Sequence, residues 1–375
     1  MPESKPLRVG VIGAGGIAQM MHLHYLFSMP ERYQIAALSD LSQGLLESMG
    51  DKYRVPENCR FTHYQDLVAQ DLDAVLILTG GNHYGQALAA LHAGKHVFVE
   101  KPMCYTLHEA DEMIEAAKRA NRKLMVGYMK RYDPGYLYGQ RAIKSLREIR
   151  YVQINTLHPA ETGYQRHHNV QRFRDIPPDV LEPLQKADDA SVIQAVGHVS
   201  PLLREIYANV VIGSMVHDVN ALRGLMGEPE EVLFTQLWPE DRQDVCITTA
   251  LKYPNDVRVI YTWAYLDELR DYFQEIAIMA SSGRVRIQFP SPYLRHFPTP
   301  VVVQGMEDGA SYTKQIVVSY EEAFQQELIA FHDCIVHDKQ PLTDGATGRA
   351  DILVLQKIFA ALHPKGLGGE AGQFA

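Results

Sequence analysis

The sequence predicts an α/β architecture in two parts. A doubly wound parallel sheet over residues 1–128 precedes an α+β domain over 129–375 with a large, mostly antiparallel open sheet. Three observations predict this. Short apolar runs alternate with helical stretches in the first third. A glycine-rich turn follows the first run. Beyond about Gly127 the runs alternate polar and apolar residues and are joined by turns. The length, 375 residues, suits two domains.

The apolar runs at 7–12, 34–39, 74–78, 96–99 and 123–126 are nearly continuous, as strands buried on both faces must be. Strand–helix alternation of this kind builds a parallel sheet. Thr106-x-x-Glu109 is a capping-box pattern that opens a helix to about Ala120. Asp133-Pro134 reads as an N-cap and first helical residue of a helix to about Arg147. Strands are expected at 151–156, 231–238, 244–252, 257–264, 272–280 and 284–289. The alternation Val257, Val259, Tyr261, Trp263 predicts a sheet with one covered face. Tyr253-Pro254-Asn255-Asp256 and Ser281-Ser282-Gly283 read as hairpin turns. Helices are expected at about 213–226 and 321–337. Residues 158–209 form a long polar insertion, partly helical at 178–186 and 201–207, and connections of that length are usually functional.

Composition excludes several classes. Hydrophobic residues make up 46% and charged residues 22%, and Lys+Arg 36 against Asp+Glu 45 leaves a net charge of −9. A chain this acidic is a poor partner for nucleic acid or an anionic membrane. No apolar run reaches the roughly 20 residues needed to span a bilayer. The N-terminus leads straight into a strand, with no cleavable signal peptide visible. The four cysteines lie far apart without a CxxC, which fits a cytoplasmic protein. Among 16 histidines there is no H-E-x-x-H, and His22 and His24 are two apart on a helix, so no metal is expected.

The turn Gly13-Ala14-Gly15-Gly16-Ile17-Ala18 is G-x-G-x-x-A between a strand and a helix. Gly13 permits the tight turn, Gly15 admits a pyrophosphate, and Ala18 keeps the helix close. The helix N-terminus offers free N–H groups to phosphates. Asp40 ends the next strand, where it accepts hydrogen bonds from ribose hydroxyls and repels a 2′-phosphate, favouring NAD over NADP. Ligands of such folds lie at the carboxyl ends of the strands. Two segments qualify: Thr79-Gly80-Gly81-Asn82-His83 and Glu100-Lys101-Pro102.

These residues, with Gly127–Pro134, Gly213–Asn220, Leu222–Pro229 and Phe324–Phe331, resemble the Gfo/Idh/MocA oxidoreductases over nearly the whole chain. The 158–209 segment is the least familiar part. The resemblance implies a Rossmann domain followed by an α/β domain whose open sheet forms a homodimer or homotetramer interface. It implies NAD(P)-linked oxidation or reduction at a carbinol of a sugar, inositol or related polyol. It assigns Lys101 to the reacting oxygen and His217 to acid/base work. It assigns cofactor contacts to Gly13, Gly15, Gly16, Ile17, Asp40, His83, Glu100 and Arg131, with Thr79 and Asn82 in the same loop. Two positions depart from its pattern: an Asp common one turn before the His is Gly213 here, and an Asp three residues after it is Asn220.

A desolvated Lys101 suits stabilisation of a developing alkoxide, against the bland reading of a surface lysine. His217 suits a general base near neutrality, although a lone histidine on an apolar face is often a core residue. Tyr128 and Tyr132 line a site or pack a junction. In the insertion, His158, Tyr164, Arg166, His167 and His168 suit a polyhydroxylated ligand, and Asn220, three residues after His217, is a further substrate candidate. Three functions compete: an NAD-dependent sugar, glycoside or polyol dehydrogenase; a glycoside-cleaving enzyme that oxidises transiently; and a non-catalytic NAD-binding regulator.

Overall fold

The computed structural model describes residues 5–160, 165–240, 244–362 and 367–375. Two compact units form. The first comprises Met1–Tyr128, His168–Ala195 and Phe324–Ile352, and the second Met129–His167, Val196–Ala323 and Leu353–Ala375. The chain thus passes between the two units several times, and two later segments belong to the first.

The first unit holds strands β1 (Leu7–Ile12), β2 (Tyr33–Ser39), β3 (Arg60–Phe61), β4 (Ala74–Ile77), β5 (His96–Glu100) and β6 (Leu124–Gly127). They pair in parallel in the order β3-β2-β1-β4-β5-β6. The apolar runs are its centre: Val9, Val11, Leu76, Val97 and Phe98 are fully buried. The two-residue β3 has no apolar run to signal it. The helix Leu107–Ala120 carries the expected capping box, with Thr106 Oγ1 accepting the Glu109 N–H at 3.0 Å and Glu109 Oε2 accepting the Thr106 N–H at 3.1 Å. The chain also covers the β6 edge, where the Val126 N–H donates to Thr343 O at 2.8 Å and Thr343 Oγ1 donates to Val126 O at 2.7 Å. An edge strand closed this way is not open to further pairing. Strand order reverses between β1 and β4, and this is the switch point where doubly wound sheets open a crevice.

The second unit holds β7 (Ile149–His158), β8 (Glu231–Trp238), β9 (Cys246–Tyr253), β10 (Val257–Tyr265), β11 (Phe273–Ala280), β12 (Gly283–Phe289), β13 (Val301–Glu307) and β14 (Ala310–Ile316). Their order is β14-β13-β12-β11-β7-β10-β9-β8, antiparallel except for the β7–β10 pair. One face buries Val152, Ile154, Val259, Tyr261, Ile276 and Ile278, while Gln153, Asn155, Arg258 and Thr262 on the other are half-buried. The helix Pro134–Ile143 starts where Asp133 Oδ1 accepts the Tyr136 N–H at 2.9 Å, and it ends before the expected Arg147. A helix beginning at about Gly213 also resolves differently. Ile206–Met215 is π-helical and continues into the α-helix Val216–Met226. Among the described residues no helix is long and apolar enough to cross a membrane.

Candidate functional site

The first unit's switch point opens into a cavity of about 680 Å³ lined by Gly13, Gly15, Gly16, Ile17, Asp40 and Thr79, among others. Gly13 has φ +95°, and a Cβ there would lie 2.8 Å from the Thr79 backbone nitrogen, so both the turn and the close approach require glycine. At Gly15 a Cβ would meet nothing within 4 Å, which leaves the loop face open to a phosphate-sized group. Asp40 Oδ2 accepts the Ala14 N–H at 2.7 Å and Oδ1 the Ser42 N–H at 2.9 Å. Burial pushes its carboxyl above the ordinary range, against the pull of these two amides, and the charge of Asp175 pushes the same way. Thr79 Oγ1 is buried with no hydrogen-bond partner among the described residues. A roomy glycine turn, an acid after β2 and an uncommitted buried hydroxyl together fit a dinucleotide.

The outer wall of this cavity comes from the insertion. Ile176, Val180, Leu181, Leu184 and Asp188 line it, on and just before the helix Pro178–Val196. The insertion is tied to the glycine turn through one side chain. Gln19 Nε2 donates to Ala14 O at 2.8 Å and to Gln171 O at 3.1 Å, while Gln19 Oε1 accepts the Gln171 N–H at 2.8 Å. Sequence reasoning gave this segment to the substrate and missed its place beside the glycine turn, which depends on contacts 152 residues apart.

The loops after β4 and β5 are cross-braced. Asn82 Nδ2 donates to Glu109 Oε1 at 2.7 Å and to Ser191 Oγ at 3.1 Å. The buried His83 ring sits between Pro102 O, 2.6 Å from Nδ1, and Thr79 O, 2.8 Å from Nε2. Burial pulls its pKa below the ordinary value, against both carbonyls. Glu100 is buried, with Oε1 2.6 Å from His22 Nε2 and Oε2 accepting the Lys101 N–H at 3.0 Å. Burial raises the Glu100 carboxyl, but the His22 contact and the charges of His22 and Lys101 outweigh it and hold it below the ordinary range. Lys101 itself is half-buried. The fold also brings Glu327 to this pair, with ligand atoms of His22, Glu100 and Glu327 all within 4.8 Å of one another. No sequence spacing signals this histidine–carboxylate set. Tyr128 is buried at the end of this unit's first segment, and His168 is half-buried at the start of its second.

In the second unit the helix Val216–Met226 carries His217, half-buried, and Asp218, buried. Asp218 is the centre of a polar lock. Thr156 Oγ1 donates to Oδ2 at 3.0 Å, the Tyr261 hydroxyl donates to Oδ2 at 2.6 Å, and the Gln274 amide donates to Oδ1. Lys130 Nζ lies 3.9 Å from Oδ1. Strands β7, β10 and β11 therefore fix the helix that carries His217. Arg131 is buried, its Nη1 donating to Asn220 O at 3.3 Å, and Asn220 is buried too. Tyr132 is buried beside them in sequence. His158 stacks on Tyr265, with centroids 6.4 Å apart, and lies 5.9 Å from Trp263 and 5.7 Å from Tyr272. The Trp263 indole N–H donates to Ser214 Oγ at 2.9 Å, joining this aromatic cluster to the stretch that leads into His217. Sequence reasoning assigned His158 to a ligand but gave Trp263, Tyr265, Tyr272 and Asp218 no individual role. His167 is exposed, 3.2 Å from Tyr293 O, and Tyr164 lies outside the described residues. Gly213 has a local cause: a Cβ there would meet Ala208 O at 2.8 Å inside the π-helical stretch.

Residues 7–128 match the model of an oxidoreductase family with an NAD-binding Rossmann fold, GFO_IDH_MocA. Over this stretch the chain is similar to the Gfo/Idh/MocA oxidoreductases. An inositol 2-dehydrogenase/D-chiro-inositol 3-dehydrogenase from Shouchella clausii is 35% identical over 140 residues, covering 37% of this chain and 40% of the relative. The chain thus matches less than half the length of this relative. A myo-inositol 2-dehydrogenase from Thermotoga maritima is 24% identical over 96% of this chain and 97% of its own. Among solved structures, an aldose-aldose oxidoreductase from Caulobacter crescentus complexed with glycerol shares the fold, with a TM-score of 0.73 and 20% identity. That match covers 97% of this chain and 99% of the other.

Proposed function

We propose that this chain is an NAD-dependent dehydrogenase that moves a hydride between a carbinol of a sugar, glycoside or polyol and the nicotinamide. The observation that carries the reading is the cavity at the β1/β4 switch point, with Gly13 and Gly15 on its floor and Asp40 after β2. Relatives named for inositol support the substrate class.

Gly13, Gly15, Gly16 and Ile17 would hold the pyrophosphate and Asp40 the adenosine ribose. Thr79, Asn82, His83, Glu100, Lys101 and Arg131 are proposed for the remainder of the cofactor. Bound there, the dinucleotide supplies the hydride acceptor. The Lys101 ammonium donates a hydrogen bond to the substrate oxygen and stabilises its developing charge. His217 takes the hydroxyl proton. Glu100, bonded to the Lys101 amide and to His22, holds the lysine's backbone in place. Tyr128, Tyr132, His158, His167, His168 and Asn220 are the proposed substrate contacts, and the wall of Trp263, Tyr265 and Tyr272 around His158 offers rings for a sugar face. A homodimer or homotetramer through the open sheet completes the proposal.

An absorbance screen at the NADH band tests it, run with sugars, glycosides, inositols and sugar acids and with both NAD and NADP. Net NADH formation with one of these supports the reading. Lys101→Ala then lowers kcat about 10²–10⁴-fold and leaves the NAD dissociation constant near its original value. Tight NAD binding without reduction by any compound contradicts it and favours a non-catalytic regulator.

A further inference from the structure

The helix Gln43–Lys52 begins just beyond Asp40, and its N-terminus is where a dinucleotide's adenosine ribose would meet free amides. In this chain three amides at that end are taken. The Ser42 N–H donates to Asp40 Oδ1 at 2.9 Å, and the Leu45 N–H donates to Ser42 Oγ at 3.1 Å. The Gly44 N–H donates to Asp175 Oδ2 at 2.7 Å. Asp175 lies 131 residues away, in the inserted segment. Phe173, two residues before it, presses on the same turn, since a Cβ on Gly44 would meet its ring at 2.5 Å. The Gln19–Gln171 exchange ties the segment down at the glycine turn.

We propose that Asp175 is a second selector against a 2′-phosphorylated dinucleotide, working beside Asp40 and delivered by a segment outside the glycine-turn motif. The proposal rests on the NAD reading above. Two effects act together. Asp175 occupies the amide that a 2′-phosphate would use, and it adds a second negative charge to the same turn. The two carboxylates feel each other: the Asp175 charge helps push Asp40 up, after burial, while the Gly44 amide and Ser42 hydroxyl hold Asp175 below the ordinary range. A phosphate dianion brought to this turn meets two like charges and finds no free donor at Ser42, Gly44 or Leu45.

Calorimetric titration of NAD and NADP into the intact chain and three variants tests this without needing a substrate. Asp175→Asn keeps an acceptor for Gly44 and removes the charge, so the ratio of NADP to NAD affinity should rise about tenfold. Asp175→Ala also frees the amide, so the ratio should rise further. The gain should shrink in high salt, as screening weakens the repulsion that the charge imposes. Asp40→Asn is the control for the NAD reading. If it raises the ratio while both Asp175 variants stay within about twofold of the natural chain, the second selector is refuted and the NAD reading stands. If none of the three moves the ratio, or the natural chain prefers NADP, the NAD reading fails as well. Far-ultraviolet dichroism of each variant keeps misfolding apart from these outcomes.

Discussion

His22 Nε2 lies 2.6 Å from Glu100 Oε1, with the histidine fully buried and the glutamate nearly so. Phe98 and Phe324 make T-shaped contacts with the imidazole, with ring centroids 5.4 and 5.5 Å away. The other Glu100 oxygen accepts the Lys101 amide. A buried pair of this kind therefore fixes the backbone at the proposed catalytic lysine.

Glu100→Gln should lower the unfolding free energy by about 3–5 kcal/mol, because removing one member of a buried pair leaves the other uncompensated. The pH dependence has a definite sign. The carboxyl is held below its ordinary value of 4.5 in the folded chain, so its contribution is present above that value and is lost as pH falls through the folded pKa. Urea denaturation across the acid range checks this. The natural chain should lose stability on acidification more steeply than Glu100→Gln, and parallel curves would contradict the assignment.

Asp188 behaves in the opposite sense. Burial raises its carboxyl to about 6, with Glu109 and Asp189 adding to the rise and the Asn82 amide opposing it. The folded chain holds this proton more tightly, so the stability it gives is full below the ordinary value of 3.8 and is lost as pH rises through about 6. Asp188→Asn should therefore be more stable than the natural chain above about pH 6, with the difference closing toward pH 4. Denaturation midpoints at several pH values measure it.

Asp218→Asn keeps the size of the side chain but offers one acceptor atom to four partners and removes the carboxylate that Lys130 Nζ faces at 3.9 Å. A loss of about 3–5 kcal/mol is expected, with kcat falling because the helix carrying His217 is no longer pinned to β7, β10 and β11. Chemical denaturation and steady-state rates measure both, and an unchanged stability would show that the lock is dispensable.

Gly213→Asp places a carboxylate where the resemblance leads one to expect it. The 2.8 Å approach to Ala208 O forbids a simple gain. The variant should lose about 1–3 kcal/mol of stability without raising kcat, as overpacked sites do. A faster enzyme of normal stability would mean that the π-helical stretch adapts freely.

The sheets were legible because buried strands need apolar runs, and 7–12, 74–78 and 96–99 all appear as strands with fully buried residues. Three strands were not expected from the sequence, and one of them, β13, has an apolar run whose burial is confined to Val301 and Val302. β3 has two residues, and β14, Ala310–Ile316, is an exposed polar edge. That the glycine turn and Asp40 meet in one cavity was legible, because the ends of β1 and β2 adjoin in a parallel sheet. Asp218, Asp175 and the His22–Glu100–Glu327 set were not, since each acquires its partners only through contacts distant in sequence. The insertion was noticed for its length and polarity, yet its place on the switch-point cavity rests on long-range bonds such as those of Gln19 with Gln171, which carry no local motif.

The central claim is that the cavity at the β1/β4 switch point takes NAD with Asp40 gripping the adenosine ribose. Calorimetric titration of NAD into the natural chain and into Asp40→Ala is the most direct measurement. Saturable binding that weakens about tenfold or more in Asp40→Ala is the predicted result, as expected for loss of charged hydrogen bonds to the ribose. Absence of NAD binding to the natural chain, or equal affinity in both proteins, would contradict the account.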